Sequence, residues 1–437
     1  MSLIHQSSPE SIDTGLDLFT VPPTQTSIEN GFYVEYSPLA ALNPSSNIEF
    51  QINNKAGVEY IDLANTFLSI KARVTHSDGK TLEAQDRIVP TNLWLHSLFS
   101  QVDLLLNGVL VTPSENTYPY KAYLETLLSY DKQTTDSQLK CSMFTHEDGG
   151  KLDTIATSEG MLARGRAIAT SKTVSMFGRL HTDIMKTNRF LLNGVDVVLR
   201  LVKSKDAFNL ISVVRQNVEY KTEITSAVLF VRKCKLNPSI LVEHQKILSS
   251  GLTAKYPLKR VSVKSFSVPT GSLTSTHDNL FLSQLPKRII VGLVDSDAYN
   301  GHFNKNPFNF KHMNLSYLGL NIDGENKPSS PLTPDFEAGV FTRPFYRLFT
   351  DLGLACKNES LSFGLDDFDK GYALYAFDLS PSILDGNQIE LIRSGNLRLE
   401  LKFAKALTAP IHVIVYGELD SIIEINNSRQ VLTDFTY

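Results

Sequence analysis

The chain is short of most features that announce a chemical function. It has 3 cysteines in 437 residues. Cys141, Cys234 and Cys356 lie far apart, so they form no C-x-x-C pair and no disulfide framework. A reducing compartment with incidental thiols is the simplest expectation. Lysine and arginine are missing from residues 1–45, which hold Glu10, Asp13, Asp17, Glu29 and Glu35; Lys55 is the first basic residue. With a net charge of −4, there is no basic arm to displace counterions from nucleic acid. No apolar run approaches the roughly 20 residues of a membrane helix. The opening Met1-Ser2-Leu3-Ile4-His5-Gln6 lacks the basic and apolar regions of a signal peptide, so export is not expected. Phosphate-loop, dinucleotide and nucleophile-elbow motifs are also missing.

What is present is one β-rich unit written twice. An alternating strand runs into a tight turn at Val102, Leu104, Leu106 and Asn107-Gly108. The pattern returns at Leu318, Leu320, Ile322 and Asp323-Gly324. Next comes a proline with a short amphipathic helix: Pro119 before Tyr120, Tyr123, Leu124 and Leu127, then Pro344 before Phe345, Leu348, Phe349 and Leu352. A third pair of strands matches Val195, Val197, Leu199, Leu201 and Lys203 with Leu397, Leu399, Leu401, Phe403 and Lys405. The offset differs among the pairs, so insertions have accumulated while the order survived.

Residues 1–47 are expected to form an extended N-terminal arm that docks on its own domain or a neighbour, anchored by Leu16, Leu18, Phe19, Val21 and Ile28. Residues 48–250 form the first unit and 251–437 the second. Strands are expected at Asn47–Asn53, Thr66–Thr75 and Val228–Lys235, then at Arg260–Val268, Arg288–Val294, Asn314–Ile322, Gly371–Leu379, Leu397–Ala404 and His412–Ile425. Ser77-Asp78-Gly79, Asn300-Gly301 and Asp385-Gly386 supply turns. A short helix or turn is expected around Trp94. A helix is expected from Pro238 to Leu248, with Asn237 as N-cap and Pro238 at its first position. Residues 131–177 are polar and aperiodic, and are expected to be a long loop that makes contacts. The class is all-β, with the jelly roll as the closest architecture and short helices in its loops.

The chemical candidates are weak. His302 and His312 lack a companion acid cluster for a metal. Asp295-Ser296-Asp297-Ala298-Tyr299-Asn300-Gly301 is one residue too long for a calcium loop and is read as a polar turn. Asp366, Asp367 and Asp369 could do acid–base work only in a dry pocket and are read as a solvated loop. The glycosylation triplets at Asn314, Asn358 and Asn427 are read as chance matches. No residue is assigned a catalytic, cofactor-binding or metal-binding role, no cofactor is expected, and the chain is expected not to be an enzyme.

Several ordered segments resemble a known family. They include Leu16–Ser27, Tyr60–Val74, Asp103–Val109, Pro286–Gly292 and Asn306-Pro307-Phe308-Asn309-Phe310. The likeness continues through Gly371–Leu379, Gly395–Phe403 and Tyr416–Arg429. Together they are similar to the double jelly-roll major capsid proteins of Polinton (Maverick) elements and adintoviruses, in the adenovirus-related lineage. Residues 131–177 share little with it. The resemblance implies two jelly rolls side by side, a homotrimer of pseudo-hexagonal outline, and an icosahedral shell around double-stranded DNA. Implied partners are neighbouring capsomers and penton or minor capsid proteins, in the virion, without sequence-specific nucleic-acid contact. The competing readings are a tandem β-sandwich lectin and, on the strength of the acidic cluster alone, a carbohydrate-active enzyme.

Overall fold

The computed structural model describes residues 7–43, 46–54, 58–212, 219–281, 284–327, 329–381 and 389–435. In the first half the strands are β1 (Ile28–Tyr36), β2 (Ile48–Ile52), β3 (Glu59–His76), β4 (Ile88–Pro90), β5 (Phe99–Leu106), β6 (Val109–Leu110), β7 (Val174–Arg179), β8 (Val197–Lys203), β9 (Leu210–Ser212) and β10 (Tyr220–Leu236). The second half contributes β11 (Ala254–Val268), β12 (Thr274–His277), β13 (Arg288–Asp295), β14 (Leu315–Ile322), β15 (Glu325–Asn326), β16 (Leu374–Asp378), β17 (Leu397–Phe403), β18 (Ile411–Ile425) and β19 (Val431–Thr433).

Sheet order shows the duplication directly. The first half pairs β1-β10-β3-β7 in one sheet and β2-β8-β5-β6 in another. The second half repeats both orders, as β11-β18-β13-β16 and β12-β17-β14-β15, with β19 added to β18. In each half a first strand lies beside a last one, and the paired named strands run antiparallel. This is the jelly-roll arrangement, made twice, so the fold is a double jelly roll. A small β4–β9 sheet is an addition to the first half.

The local reasons match the sequence. Along β3, Leu68, Ile70, Ala72 and Val74 are buried while Phe67, Ser69, Lys71 and Arg73 point the other way, as a period of two requires. β17 follows the same rule, with Leu397, Leu399, Leu401 and Phe403 inside. Both repeated turns have positive φ at their two central residues, 46° and 83° at Asn107-Gly108 and 51° and 94° at Asp323-Gly324. Asparagine, aspartate and glycine tolerate that backbone, and its twist suits a two-residue hairpin. Pro238–Ser249 is helical, and the Asn237 side chain accepts a hydrogen bond from the Ser239 N–H.

Two expectations change. Residues 131–177 are not an open loop: they hold helices at Lys132–Asp136 and Glu159–Ile168, short 3-10 turns, and the start of β7. Their buried apolar side chains, among them Phe144, Leu152, Met161 and Ile168, are few, spread over several short elements, and mixed with buried polar ones. Arg164 and Glu147 are buried and form an ion pair, and Arg164 Nε also donates to the Pro90 carbonyl at 2.9 Å. Asn300-Gly301 ends a one-turn helix (Ser296–Asn300) instead of joining two strands. The expected docking of the arm on its own domain is seen at residues 28–36, which form β1 along β10. The Asp385-Gly386 turn, Met1–Gln6 and Pro44 lie outside the described residues.

Gly292 in β13 shows how tightly the second core is filled. A Cβ placed there would lie 2.5 Å from Phe310 Cδ1 and 2.9 Å from Leu374 Cδ2. Gly292→Ala is expected to cost about 1–3 kcal/mol through overpacking, read as a lower denaturant midpoint with an unchanged slope.

Candidate functional site: the seam between the two rolls

Most of the residues singled out for chemistry are engaged structurally. Asp367 accepts from the Gly149 N–H at 3.0 Å and the Gly364 N–H at 3.2 Å, so it caps the short Leu365–Phe368 helix and ties it to the first half. Lys370 Nζ donates to the Asp366 carbonyl at 2.8 Å and lies 4.0 Å from Asp369. Asp295 and Asp297 pair with Lys311 and Lys305 at 2.7 and 3.0 Å. His302 and His312 accept from the Asn304 and Asn314 backbone N–H groups respectively, and His312 stacks on Phe336. Asn427 accepts from the Gln245 amide at 2.9 Å. Among the described residues no three His, Cys, Asp or Glu side chains are placed to hold a metal. No helix there is long and apolar enough to cross a membrane.

The dense chemistry lies where the two rolls meet. The helix Tyr118–Ser129 leaves the first roll and packs against β5 on one side and β11 on the other. It is therefore buried nearly all round, whereas its counterpart Thr342–Leu352 buries only Pro344, Leu348 and Asp351. Tyr123 stacks face to face on Phe308 with ring centroids 4.1 Å apart, and Tyr120 stacks on Tyr299 at 5.7 Å. Phe308 also meets Tyr120 and Phe208 edge-on. Such offset and edge contacts add to the burial of each ring. One continuous apolar cluster consequently runs through both rolls.

Polar links surround this aromatic centre. Asp183 accepts from Lys121 Nζ at 2.5 Å and from the Val261 N–H at 3.0 Å. The Tyr256 hydroxyl accepts from the Leu192 N–H and donates to the Phe190 carbonyl. The Tyr372 hydroxyl donates to the Glu147 carbonyl at 2.6 Å. Asp153 accepts from the Asn306 N–H and from the Asn309 amide, at 2.9 and 2.7 Å. Near the chain's end, Arg429 donates to the Asn193 carbonyl at 2.7 Å, and Asn107 donates to the Arg429 carbonyl at 2.8 Å. Buried polar groups cost stability unless paired, and these pairs cross the seam. The two rolls thus share one packed and hydrogen-bonded seam.

A buried titratable cluster flanks the same helix. His96 and His181 meet edge-to-face at 4.7 Å. The Tyr118 hydroxyl is 2.9 Å from His96 Nδ1 and accepts from the His181 N–H. His181 Nδ1 and Lys186 Nζ both contact Glu125 at 2.6 Å, and Tyr416 faces Glu125 from β18 at 3.5 Å. Burial tends to raise the Glu125 carboxyl, but Lys186, the His181 hydrogen bond and Lys121 outweigh it and hold it well below the usual carboxylate range. Burial lowers His181 despite its bond to Glu125, and lowers His96 further, with His181 adding to the effect.

The signs agree. A histidine lowered in the fold takes up its proton more readily when unfolded, so stability falls as pH drops below the ordinary histidine value. A depressed carboxylate stabilises above the ordinary glutamate value and loses that contribution as pH falls toward its folded value. We expect the unfolding midpoint to drop on acidification from pH 7 to pH 5, by up to about 1.4 kcal/mol per pH unit for each buried histidine below about pH 6.5. His96→Gln is expected to flatten the dependence. An equally steep profile in that variant would exclude His96 as a cause.

The sequence marks both sides of this seam but not their contact: Tyr120 and Tyr123 fall on a helical apolar face, and Phe308 and Phe310 sit in one of the family-like segments. Glu125, His181 and Arg164 carry no local signal at all.

No known family model matches the chain. An uncharacterized protein of Caenorhabditis elegans, F54H12.2, is 29% identical over 426 residues, covering 95% of this chain and 99% of that protein. Among solved structures, that of the Sputnik virophage superposes with a TM-score of 0.61 at 11% identity, covering 99% of this chain and 94% of the other. The Faustovirus major capsid protein gives 0.57 at 9% identity, over 95% and 92%. The mavirus major capsid protein gives 0.54 at 13% identity, over 100% and 97%. The chain therefore shares, along its full length, the double jelly-roll fold of viral major capsid proteins.

Proposed function

We propose that the protein is a major capsid protein, a structural building block and not an enzyme. The observation that carries this reading is the packing of two jelly rolls with the same strand order around a shared core. Three such chains present six similar corners, so a trimer can occupy a hexagonal lattice position under closed symmetry. Trimers of pseudo-hexagonal outline then tile an icosahedral shell around double-stranded DNA. The chain divides into an arm (1–47), a first roll (48–250) and a second roll (251–437). Neighbouring capsomers and penton or minor capsid proteins are its partners, and the virion is its location.

The finer placement, with Polinton elements and adintoviruses, draws on the segment likeness. A capsomer stabilised by large, partly apolar interfaces requires no cofactor.

The test is native mass followed by negative-stain imaging of the same fraction. A species near three times 48.7 kDa with a hexagonal outline is expected, with sheets or shells at high concentration. A strict monomer under varied salt and pH would overturn the capsid reading and favour the carbohydrate-binding one.

A further inference from the structure

Lys121 and Asp183 are arranged as more than an ion pair. Both are buried, with 5% and 2% exposure, and Lys121 Nζ lies 2.5 Å from Asp183 Oδ1. The second carboxylate oxygen, Oδ2, accepts from the Val261 N–H of β11 at 3.0 Å. One oxygen thus faces an amine while the other is held by a backbone donor. Acyl transfer needs that disposition, with a nucleophile fixed beside the carboxyl carbon and an N–H where negative charge gathers in the tetrahedral intermediate.

A third group stands beside the pair. A cavity of about 20 Å³ is lined by Glu115, Lys121 and Thr182 from the first roll and by Val261 and Val263 from the second. It has room for one water. Glu115 Oε2 and Thr182 Oγ1 are buried there with no hydrogen-bond partner among the described residues. Burial raises the Glu115 carboxyl against the opposing pull of Lys264, Thr117 and Arg260, which favours its neutral acid form. A neutral carboxyl can give one proton and take back another. Keeping two ions away from water is costly, and a neutral amide in the same place removes that cost.

We propose that Lys121 and Asp183 condense into an amide crosslink, with Glu115 relaying a proton across the cavity. The pair first shares its own proton, leaving a neutral amine and a carboxylic acid. Lys121 Nζ attacks Asp183 Cγ, the C–N bond forms, and Oδ2 takes the negative charge against the Val261 N–H. Glu115 gives its proton to the Oδ1 hydroxyl, the C–Oδ1 bond breaks, and one water leaves toward Thr182. Glu115 then recovers the proton that the nitrogen sheds as the carbonyl reforms. The sum is ammonium plus carboxylate giving amide plus water, without oxidant or co-reactant. The Val261 donor belongs to the second roll, so the site is complete only once the two rolls have packed. The product fastens the Tyr118–Ser129 helix to the Asp183–Lys186 turn at the seam.

The experiment is intact-mass spectrometry of the denatured full chain. The expected mass is one water below that of the sequence. Trypsin is expected to release a branched peptide joining residues 88–132 to 180–186, uncut at Lys121. Lys121→Arg should restore the full mass. Glu115→Gln, at a half-buried position, should lower the linked fraction roughly tenfold or more at a fixed time after synthesis, with the circular dichroism spectrum unchanged. A parent chain at its full sequence mass, a link between other residues, or a Glu115→Gln chain that links as fast as the parent would overturn the proposal. The capsid reading is judged separately by native mass and particle outline, which an unlinked chain can satisfy.

Discussion

Phe308→Ala is expected to lower the stability of the whole chain by about 3–5 kcal/mol, the cost of emptying a well-packed aromatic site. Phe308 is fully buried, and its ring lies against Tyr123 from the first roll with an interplanar angle of 5°. Tyr120, Tyr123 and Phe208 cannot follow the lost ring inward, because they are held by the Tyr118–Ser129 helix and the first roll's own core. A cavity therefore remains, and the cost sits near the upper end of the range. The measurement is denaturant unfolding followed by tryptophan fluorescence and by far-UV circular dichroism. Trp94 is the single tryptophan and is buried in the first roll, so the two probes weight the halves differently. In the parent a single coincident transition is expected. In Phe308→Ala the transitions should shift down and separate, because the substitution weakens the joint more than either roll. An unchanged midpoint would show that the seam contributes little.

Arg164→Met is expected to be equally severe, by about 3–5 kcal/mol, for an electrostatic reason. Its guanidinium and the Glu147 carboxylate are both removed from water, and taking away one partner strands the other charge in the interior. Arg164 additionally donates to Thr145 Oγ1 and to the Pro90 carbonyl, so the Glu159–Ile168 helix and β4 would lose a shared fastener. The double variant Arg164→Met, Glu147→Gln removes the stranded charge and is expected to recover a large part of the loss. It should not recover all of it, since the Pro90 carbonyl still lacks its donor. A double-mutant cycle in chemical denaturation reads the coupling directly. Additive losses from the two changes would show that the pair is not coupled in the folded chain.

How much of this was legible in the sequence depended on the range of the cause. The alternation in Val195–Lys203 and Leu397–Lys405 placed β8 and β17, because burying one face of a sheet imposes a period of two on the residues themselves. Asn107-Gly108 and Asp323-Gly324 marked hairpins through the backbone that their side chains permit. Asn237-Pro238 marked a helix start because the cap and the missing N–H act within one turn. Residues 131–177 escaped the same treatment. Their helices are held by Arg164 pairing with Glu147 and by Asp153 receiving Asn306 and Asn309. In the Glu159–Ile168 helix the buried face carries Arg164 between Met161 and Ile168, which interrupts the hydrophobic period. The acidic residues 366–369 looked like a solvated cluster, yet Asp367 is spent on the Gly149 and Gly364 N–H groups, one of them more than two hundred positions away.

The sequence by itself determined that this protein is β-rich, that its unit occurs twice, and where most strands, turns and caps lie. Those properties follow from local sterics and from side-chain periods, which each segment carries within itself. Only the tertiary structure decided that the two units are one body. Tyr123 meets Phe308, Asp183 meets Val261, and Tyr372 reaches the Glu147 carbonyl because the fold brings distant segments into a common dry volume. Burial and desolvation are set by neighbours in space, and the chain order does not record who those neighbours are.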